Sequence, residues 1–212
     1  MDYITHTNNS ISNASKHISK LSPEILNIPG MSSAKVRHFL NNILEIDNAR
    51  YLEIGVWLGS TFISAMYKNN SVQSYAIDNF CEKNGFISSK ELFLTYCKIF
   101  LNRKSYEFIE GDSFKIDLSK IKLPINIYFY DGGHHVEDQE KALTYYDKIL
   151  DDTFIYIADD YNFSEVSEGT KSGIKKMNYH IEFETVLPAN GNQDYENWWN
   201  GLYVSVLKKQ GN

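Results

Sequence analysis

The chain has 212 residues, 42% of them hydrophobic and 23% charged, with a formal net charge of −6, which is a globular balance and not a disordered one. The acidic excess and the lack of a basic stripe argue against a nucleic-acid surface, and no apolar run approaches the ~20 residues of a membrane span. Two cysteines, Cys81 and Cys97, are too few for a disulfide framework or a cysteine zinc site, and the start MDYITHTNNS has no features of a secretory signal, so a cytoplasmic protein is expected.

Residues 1–20 are polar, rich in Ser, Asn and Thr and without periodicity, so a loose arm is expected there. Residues 1–30 are set apart as a flexible or helical arm from one domain over 31–212. Ser22-Pro23-Glu24 has the form of a helix start, and Pro29-Gly30 ends that piece. Ser32 or Ser33 then caps a helix whose Val36, Phe39, Leu40, Ile43 and Leu44 recur at helical spacing. A short apolar strand over 51–54 closes at Gly55, a helix spans 60–68, and a strand over 74–77 closes at Asp78. A helix over 89–101 leads to a strand over 106–109, followed by Gly111-Asp112. The apolar strand over 125–130 closes at Asp131. A helix over 136–150 precedes a strand over 154–158, closed by Asp159-Asp160. A helix over 165–177 and two strands, 181–187 and 202–207, complete the chain, the last two joined by a polar stretch over 188–201. Strand–helix alternation of this kind predicts an α/β fold with parallel strands and helices on both faces. Ligands then bind beyond the carboxyl ends of the strands, where the acidic residues gather.

In Glu53-Ile-Gly55-Val-Trp57-Leu-Gly59-Ser60-Thr61 a strand runs into a glycine turn that opens a helix. Gly55 permits a sharp turn and Gly59 a close approach to the helix N-terminus. The dinucleotide fingerprint is absent because position 57 is Trp. Asp78, ending the next strand, is placed to accept both ribose hydroxyls of a nucleoside. The plainer alternatives are a helix-packing glycine pair and a turn aspartate. Together Gly55, Gly59 and Asp78 point to an adenosine-containing cofactor, either a dinucleotide or S-adenosylmethionine. Asp112-Ser113 is placed to flank an adenine.

Asp131, Asp159 and Asp160 follow two apolar strands that lie ~4.8 Å apart if they are neighbours. Carboxylates that converge in this way repel one another unless a cation sits among them. Oxygen ligands suit Mg²⁺ or Ca²⁺, whereas adding His134 or His135 would favour Mn²⁺, Fe²⁺ or Zn²⁺. The plainer alternative is that Asp159 or Asp160 caps the next helix. His134 and His135 at the mouth of such a pocket are candidates for acid–base work.

The runs LEIGVWLGST, AIDNF, EGDSF, FYDGGHH and IADDY resemble class I S-adenosylmethionine-dependent methyltransferases. The nearest resemblance is to the macrocin-type small-molecule O-methyltransferases, with catechol O-methyltransferase a more distant relative. The likeness covers roughly residues 30–207. It implies a Rossmann-like three-layer α/β/α sandwich, with a seven-stranded, mostly parallel sheet and an antiparallel C-terminal hairpin. It implies that Glu53, Gly55 and Gly59 line the methionine part of the cofactor, and Trp57 and Ser60 of the same run are counted with them. Asp78 would hold the ribose, Asp112 and Ser113 would sit beside the adenine, and Asp131 would touch the cofactor. Asp131, Asp159 and Asp160 match the metal positions of metal-dependent members, with Mg²⁺ expected.

Some relatives carry an acidic base two places after the first metal aspartate. Gly133 stands there in this chain, so the catalytic role falls to Asp131 with His134 or His135. The expected activity is metal-assisted O-methylation of a small hydroxylated acceptor such as a sugar. A nicotinamide-dependent oxidoreductase and a non-catalytic nucleoside-binding module are the other readings. Trp57, Trp198, Trp199, Tyr161 and Tyr195 are candidates for a substrate wall. A homodimer through the aromatic stretch Tyr195–Trp199 is expected, and neither a nucleic acid nor a membrane partner.

Overall fold

Seven segments rich in Ile, Val, Tyr and Phe form one sheet, as such half-buried pleated surfaces favour. They are β1 (Arg50–Ile54), β2 (Gln73–Asp78), β3 (Tyr106–Glu110), β4 (Ile125–Tyr130), β5 (Leu150–Ala158), β6 (His180–Leu187) and β7 (Leu202–Lys208), in the order β3-β2-β1-β4-β5-β7-β6. The structure, a computed structural model, describes residues 2–69, 73–82, 85, 87–101, 106–122 and 124–211. β1 to β5 pair in parallel, and β7 runs antiparallel to both β5 and β6. Parallel neighbours need crossovers, and α4 (Ser60–Met66), α5 (Ser89–Phe100) and α6 (Val136–Thr144) lie on those from β1 to β2, β2 to β3 and β4 to β5, while α7 (Ser164–Lys176) leads from β5 to β6. This is the expected Rossmann-like sandwich with its C-terminal hairpin.

The central strand β4 is buried at every residue, as a strand covered on both faces must be. One face packs Tyr51, Phe62, Phe129 and Ile157 beneath the helices, and the other stacks Tyr128, Tyr130, Tyr146 and Tyr156. From β1 the chain steps one way to β2 and β3, and from β4 the other way to β5. That reversal opens a crevice at the carboxyl ends of β1 and β4.

Of the two forms expected for the N-terminal arm, the structure shows a helix in place of a loose segment. Residues Tyr3–Ser15 form α1, capped by Asp2, whose side chain accepts the Ile4 N–H at 3.0 Å. It packs on α3 (Ala34–Ile43) and buries Thr7, Ser10 and Ala14. Ile4, Ile11 and Ala14 recur at helical spacing and pack in or against the core, with Tyr3 beside them, so an apolar stripe is present though diluted by the polar Thr7 and Ser10. Ser33 caps α3 by accepting the Val36 N–H at 3.3 Å. Between them, α2 (Pro23–Leu26) starts with proline as expected. The buried Arg37 donates to the carbonyls of Leu26 at 2.9 Å and Ile28 at 2.7 Å, supplying partners to the C-terminal end of α2. Burial lowers its pKa to about 10.

α6 stops at Thr144, short of the expected 150. A 3-10 turn over Asp147–Ile149 intervenes, and β5 starts at Leu150, where Arg50 pairs with Asp151. Among the described residues, no helix is long and apolar enough to cross a membrane.

Gly55 closes β1 at φ +86, so close to β4 that a Cβ would lie 1.8 Å from the Asp131 carbonyl oxygen. Gly55→Ala therefore meets both an unfavourable φ and a backbone clash, and is expected to cost about 2 kcal/mol or more. Urea denaturation checks this; an unchanged midpoint would show that the turn gives way freely.

Candidate functional site

The crevice is a cavity of about 560 Å³, and each strand end contributes to it. The β1–α4 turn supplies Gly55, Trp57, Ser60 and Thr61, and β2 supplies Asp78. Gly111 and Ser113 follow β3, Asp131 and His134 follow β4, and Asp160 and Phe163 follow β5. The β6–β7 loop adds Gln193, Trp199 and Asn200, and the segment before α3 adds Met31. Gly30 makes that last approach possible, since a Cβ there would lie 1.8 Å from the Ser60 hydroxyl oxygen. The loop is tied to the same segment. Ser33 donates to the Asn197 carbonyl at 2.5 Å, and Lys35 to its side-chain oxygen at 3.0 Å.

Asp78 is fixed by backbone donors. The Trp57 N–H reaches its Oδ2 at 2.7 Å and the Phe80 N–H its Oδ1 at 2.5 Å. A carboxylate has about four lone-pair sites, so both oxygens retain capacity for ligand hydroxyls. The indole N–H of Trp57 is buried without a partner, and Trp57 itself sits at φ +40.

Two residues expected in the cofactor wall lie beneath it instead. Glu53 is fully buried; Tyr51 donates to its Oε2 at 2.5 Å and Thr61 to its Oε1 at 2.5 Å. Burial pushes its pKa up to about 8, with repulsion from Asp78 adding to the rise and the two hydroxyl donors opposing it. Its position in the strand points it into the core, where it holds Thr61, itself part of the cavity wall. Gly59 packs against the Phe93 ring and seats α4. Asp112 is exposed, bridged to Lys115 at 2.8 Å and accepting the Phe114 N–H at 3.0 Å; its neighbour Ser113 is the one that reaches the cavity. The bond to Lys115 holds the Asp112 carboxyl below the usual range.

At the other end, carboxylate oxygens of Asp131, Asp159 and Asp160 all lie within 4.8 Å of one another. Asp159 and Asp160 are buried and Asp131 half-buried. Burial, with repulsion inside the cluster, raises the carboxyls of Asp131 and Asp159 well above the ordinary range. One Asp159 oxygen is buried with no hydrogen-bond partner. The helix-cap alternative does not hold for this cluster. The N-cap of α7 is Phe163, and no side chain caps that helix. Asp160 sits at φ +59, a strained setting for a non-glycine residue.

The two histidines part company. His134 lines the cavity, stacks on Phe163 with ring centroids 5.7 Å apart, and brings Nε2 to 2.7 Å from Asp160 Oδ2. That hydrogen bond raises its pKa. His135 is exposed, paired with Glu165 at 3.2 Å, and stands outside the wall. Of the proposed aromatic wall, Trp57 and Trp199 line the cavity. Trp198 packs edge-on against Phe39, Tyr161 stacks on Tyr203, and Tyr195 leans edge-on against Trp199. Trp198 and Trp199 are buried, so Tyr195 alone of these three aromatics stays exposed and the expected apolar patch does not form.

Sequence reading missed Met31, Phe163, Gln193 and Asn200. No local pattern marks them, because they meet only through the tertiary fold. Trp57, Asp160, Gln193 and Trp199 all combine a positive φ with a place in the wall.

No protein-family model matches the chain, and no curated protein matches it. Solved structures do. A methyltransferase from Podospora anserina bound to S-adenosylhomocysteine superposes with a TM-score of 0.61 at 13% identity, over 96% of each chain. A candidate caffeoyl-CoA O-methyltransferase from Staphylococcus aureus gives 0.56 at 14% identity, over 98% of this chain and 92% of that one. The precorrin-6y C5,15-methyltransferase of Geobacter metallireducens gives 0.56 at 16%, over 83% and 88%. At such identities the likeness is one of fold, and the fold is that of S-adenosylmethionine-dependent methyltransferases.

The raised pKa of Glu53 has a consequence for stability. The folded state binds a proton there that the unfolded state releases above its ordinary 4.5. The group's contribution to stability is therefore full below 4.5 and is lost as pH rises through about 8. Glu53→Gln keeps partners for both hydroxyls and is expected to flatten the pH dependence over that window. Urea titrations across the range test it; an unaltered slope would show that Glu53 is ionised throughout.

Proposed function

We propose that the protein is an S-adenosylmethionine-dependent methyltransferase acting on a hydroxyl of a small molecule, such as a sugar, with a divalent cation held by Asp131, Asp159 and Asp160. One observation carries this reading. A single cavity joins a backbone-anchored carboxylate at the end of β2 to a carboxylate cluster and an imidazole at the ends of β4 and β5. The cluster suits a hard cation: its donors are all oxygens, and one of them is buried without a partner. The residues fit the cofactor as well, since Asp78 keeps lone pairs for ribose hydroxyls at the opposite end.

The bound cofactor supplies an electrophilic methyl group, so the protein's work is placement and proton handling. A cation at the trio would lower the pKa of an acceptor hydroxyl and fix its orientation. His134 is the base. A carboxylate only accepts hydrogen bonds, so the ring nitrogen facing Asp160 must carry hydrogen. When the ring is neutral its lone pair is then on Nδ1, free to take the hydroxyl proton. Asp160 stabilises the imidazolium that results. Trp199, Phe163 and Gln193 line the part of the cavity left for the body of a hydroxylated acceptor.

Calorimetry with S-adenosylhomocysteine tests the cofactor reading, and NAD serves as the rival ligand. Asp78→Ala removes a charged acceptor of two hydrogen bonds, about 1.5–3 kcal/mol each, so affinity is expected to fall about a hundredfold or more. Unchanged affinity would remove the ribose assignment, and binding of NAD alone would remove the methyltransferase reading.

The cation is tested by Mn²⁺ titration followed by electron paramagnetic resonance, together with transfer assays in excess EDTA. Saturable binding lost in Asp159→Ala, and transfer abolished by the chelator, are the expected results. Full transfer in EDTA would exclude a catalytic cation.

A further inference from the structure

We infer that Asn200 is a positioning residue: through Asp160 it holds His134 in the orientation that proton transfer requires. Asn200 ends the β6–β7 loop and is 8% exposed. Backbone bonds fasten it to the segment after β5, with the Asn162 N–H on the Asn200 carbonyl at 2.9 Å and the Tyr161 N–H on the Gly201 carbonyl at 3.0 Å. Its side chain then makes two bonds of opposite sense. Nδ2 donates to Asp160 Oδ1 at 2.6 Å, and Oδ1 accepts the Gln193 N–H at 2.6 Å.

The amide orientation is not a free choice. The Gln193 N–H can only donate and a carboxylate can only accept, so the oxygen must face the loop and the nitrogen must face Asp160. The other Asp160 oxygen, Oδ2, is the one that meets His134 Nε2 at 2.7 Å. A continuous chain therefore runs from the acceptor wall at Gln193, through Asn200 and Asp160, to the imidazole. Asp160 needs such support. Its backbone is held at φ +59, a conformation that persists only where the surroundings over-determine it. Without the Asn200 donor, the carboxylate is free to rotate about its last torsion, and His134 loses the acceptor that selects its tautomer.

The inference rests on His134 being the base of the proposed reaction, and its test needs neither cofactor nor acceptor. The full chain is labelled with ¹⁵N-histidine and studied at alkaline pH, where the imidazole is neutral. Long-range ¹H–¹⁵N correlation reads which ring nitrogen of His134 carries the proton, and His134→Gln assigns the signal. The wild-type protein is expected to show a single Nε2–H tautomer. Asn200→Ala is expected to show a mixture, with the His135 signals unmoved. Asn200→Asp has nearly the same shape and still accepts the Gln193 N–H, but it has lost the donor. It is expected to disturb the His134 signal as well, and it carries the test if the alanine variant does not fold.

An unchanged tautomer in the variants overturns the inference. So does a change in Asn200→Ala that Asn200→Asp restores, because the role would then be to hold the loop. A wild-type mixture overturns it too. Absence of S-adenosylhomocysteine binding to the wild-type protein would instead defeat the methyltransferase reading and leave the tautomer result standing.

Discussion

Like charges crowded at the end of two strands set the terms for this structure. Asp131 and Asp159 follow β4 and β5 directly, and parallel pairing leaves neither strand end anywhere else to go. The repulsion is met on several sides. His134 and Asn200 each donate to Asp160, protonation becomes easier at Asp131 and Asp159, and one Asp159 oxygen is left without a partner. A cluster arranged this way has little stabilising value of its own.

The opposite end of the cavity is organised by backbone and not by charge. Gly55 brings β1 against the Asp131 carbonyl, and the turn that follows aims the Trp57 N–H at Asp78. Glu53 and Thr61 brace the turn from below. The two ends of the cavity therefore meet at one point, where Gly55 touches the residue that also opens the carboxylate cluster. A shift of β1 against β4 would move both together.

The strands were legible because Ile, Val, Tyr and Phe gather in short runs closed by Gly or Asp, and helices lie between them. The acidic rim was legible for the same reason, since a strand end is a place in three dimensions. Depth was harder to read. Glu53 has the spacing of a cofactor ligand, yet the pleat turns it inward to Tyr51 and Thr61. His134 and His135 are indistinguishable in sequence; the start of α6 separates them, sending one to Asp160 and the other to Glu165. α1 was expected only as one of two forms, flexible or helical, because Thr7 and Ser10 interrupt the stripe of Ile4, Ile11 and Ala14 that packs on the core. The rest of the cavity wall was missed because Met31, Phe163, Gln193 and Asn200 come from distant parts of the chain.

That last feature bears on how the protein comes into being on the ribosome. The turn after β1, Asp78 and the end of β4 all precede the β6–β7 loop in the chain, so that end of the cavity has its parts early. Ser33 and Lys35 must wait for Asn197, and Asp160 must wait for Asn200. Such long-range closures are slow, because chain entropy is lost before the contacts reward it. The carboxylate cluster thus gains its Asn200 partner late, and the cavity wall is complete only when the β6–β7 loop reaches the segment around Ser33.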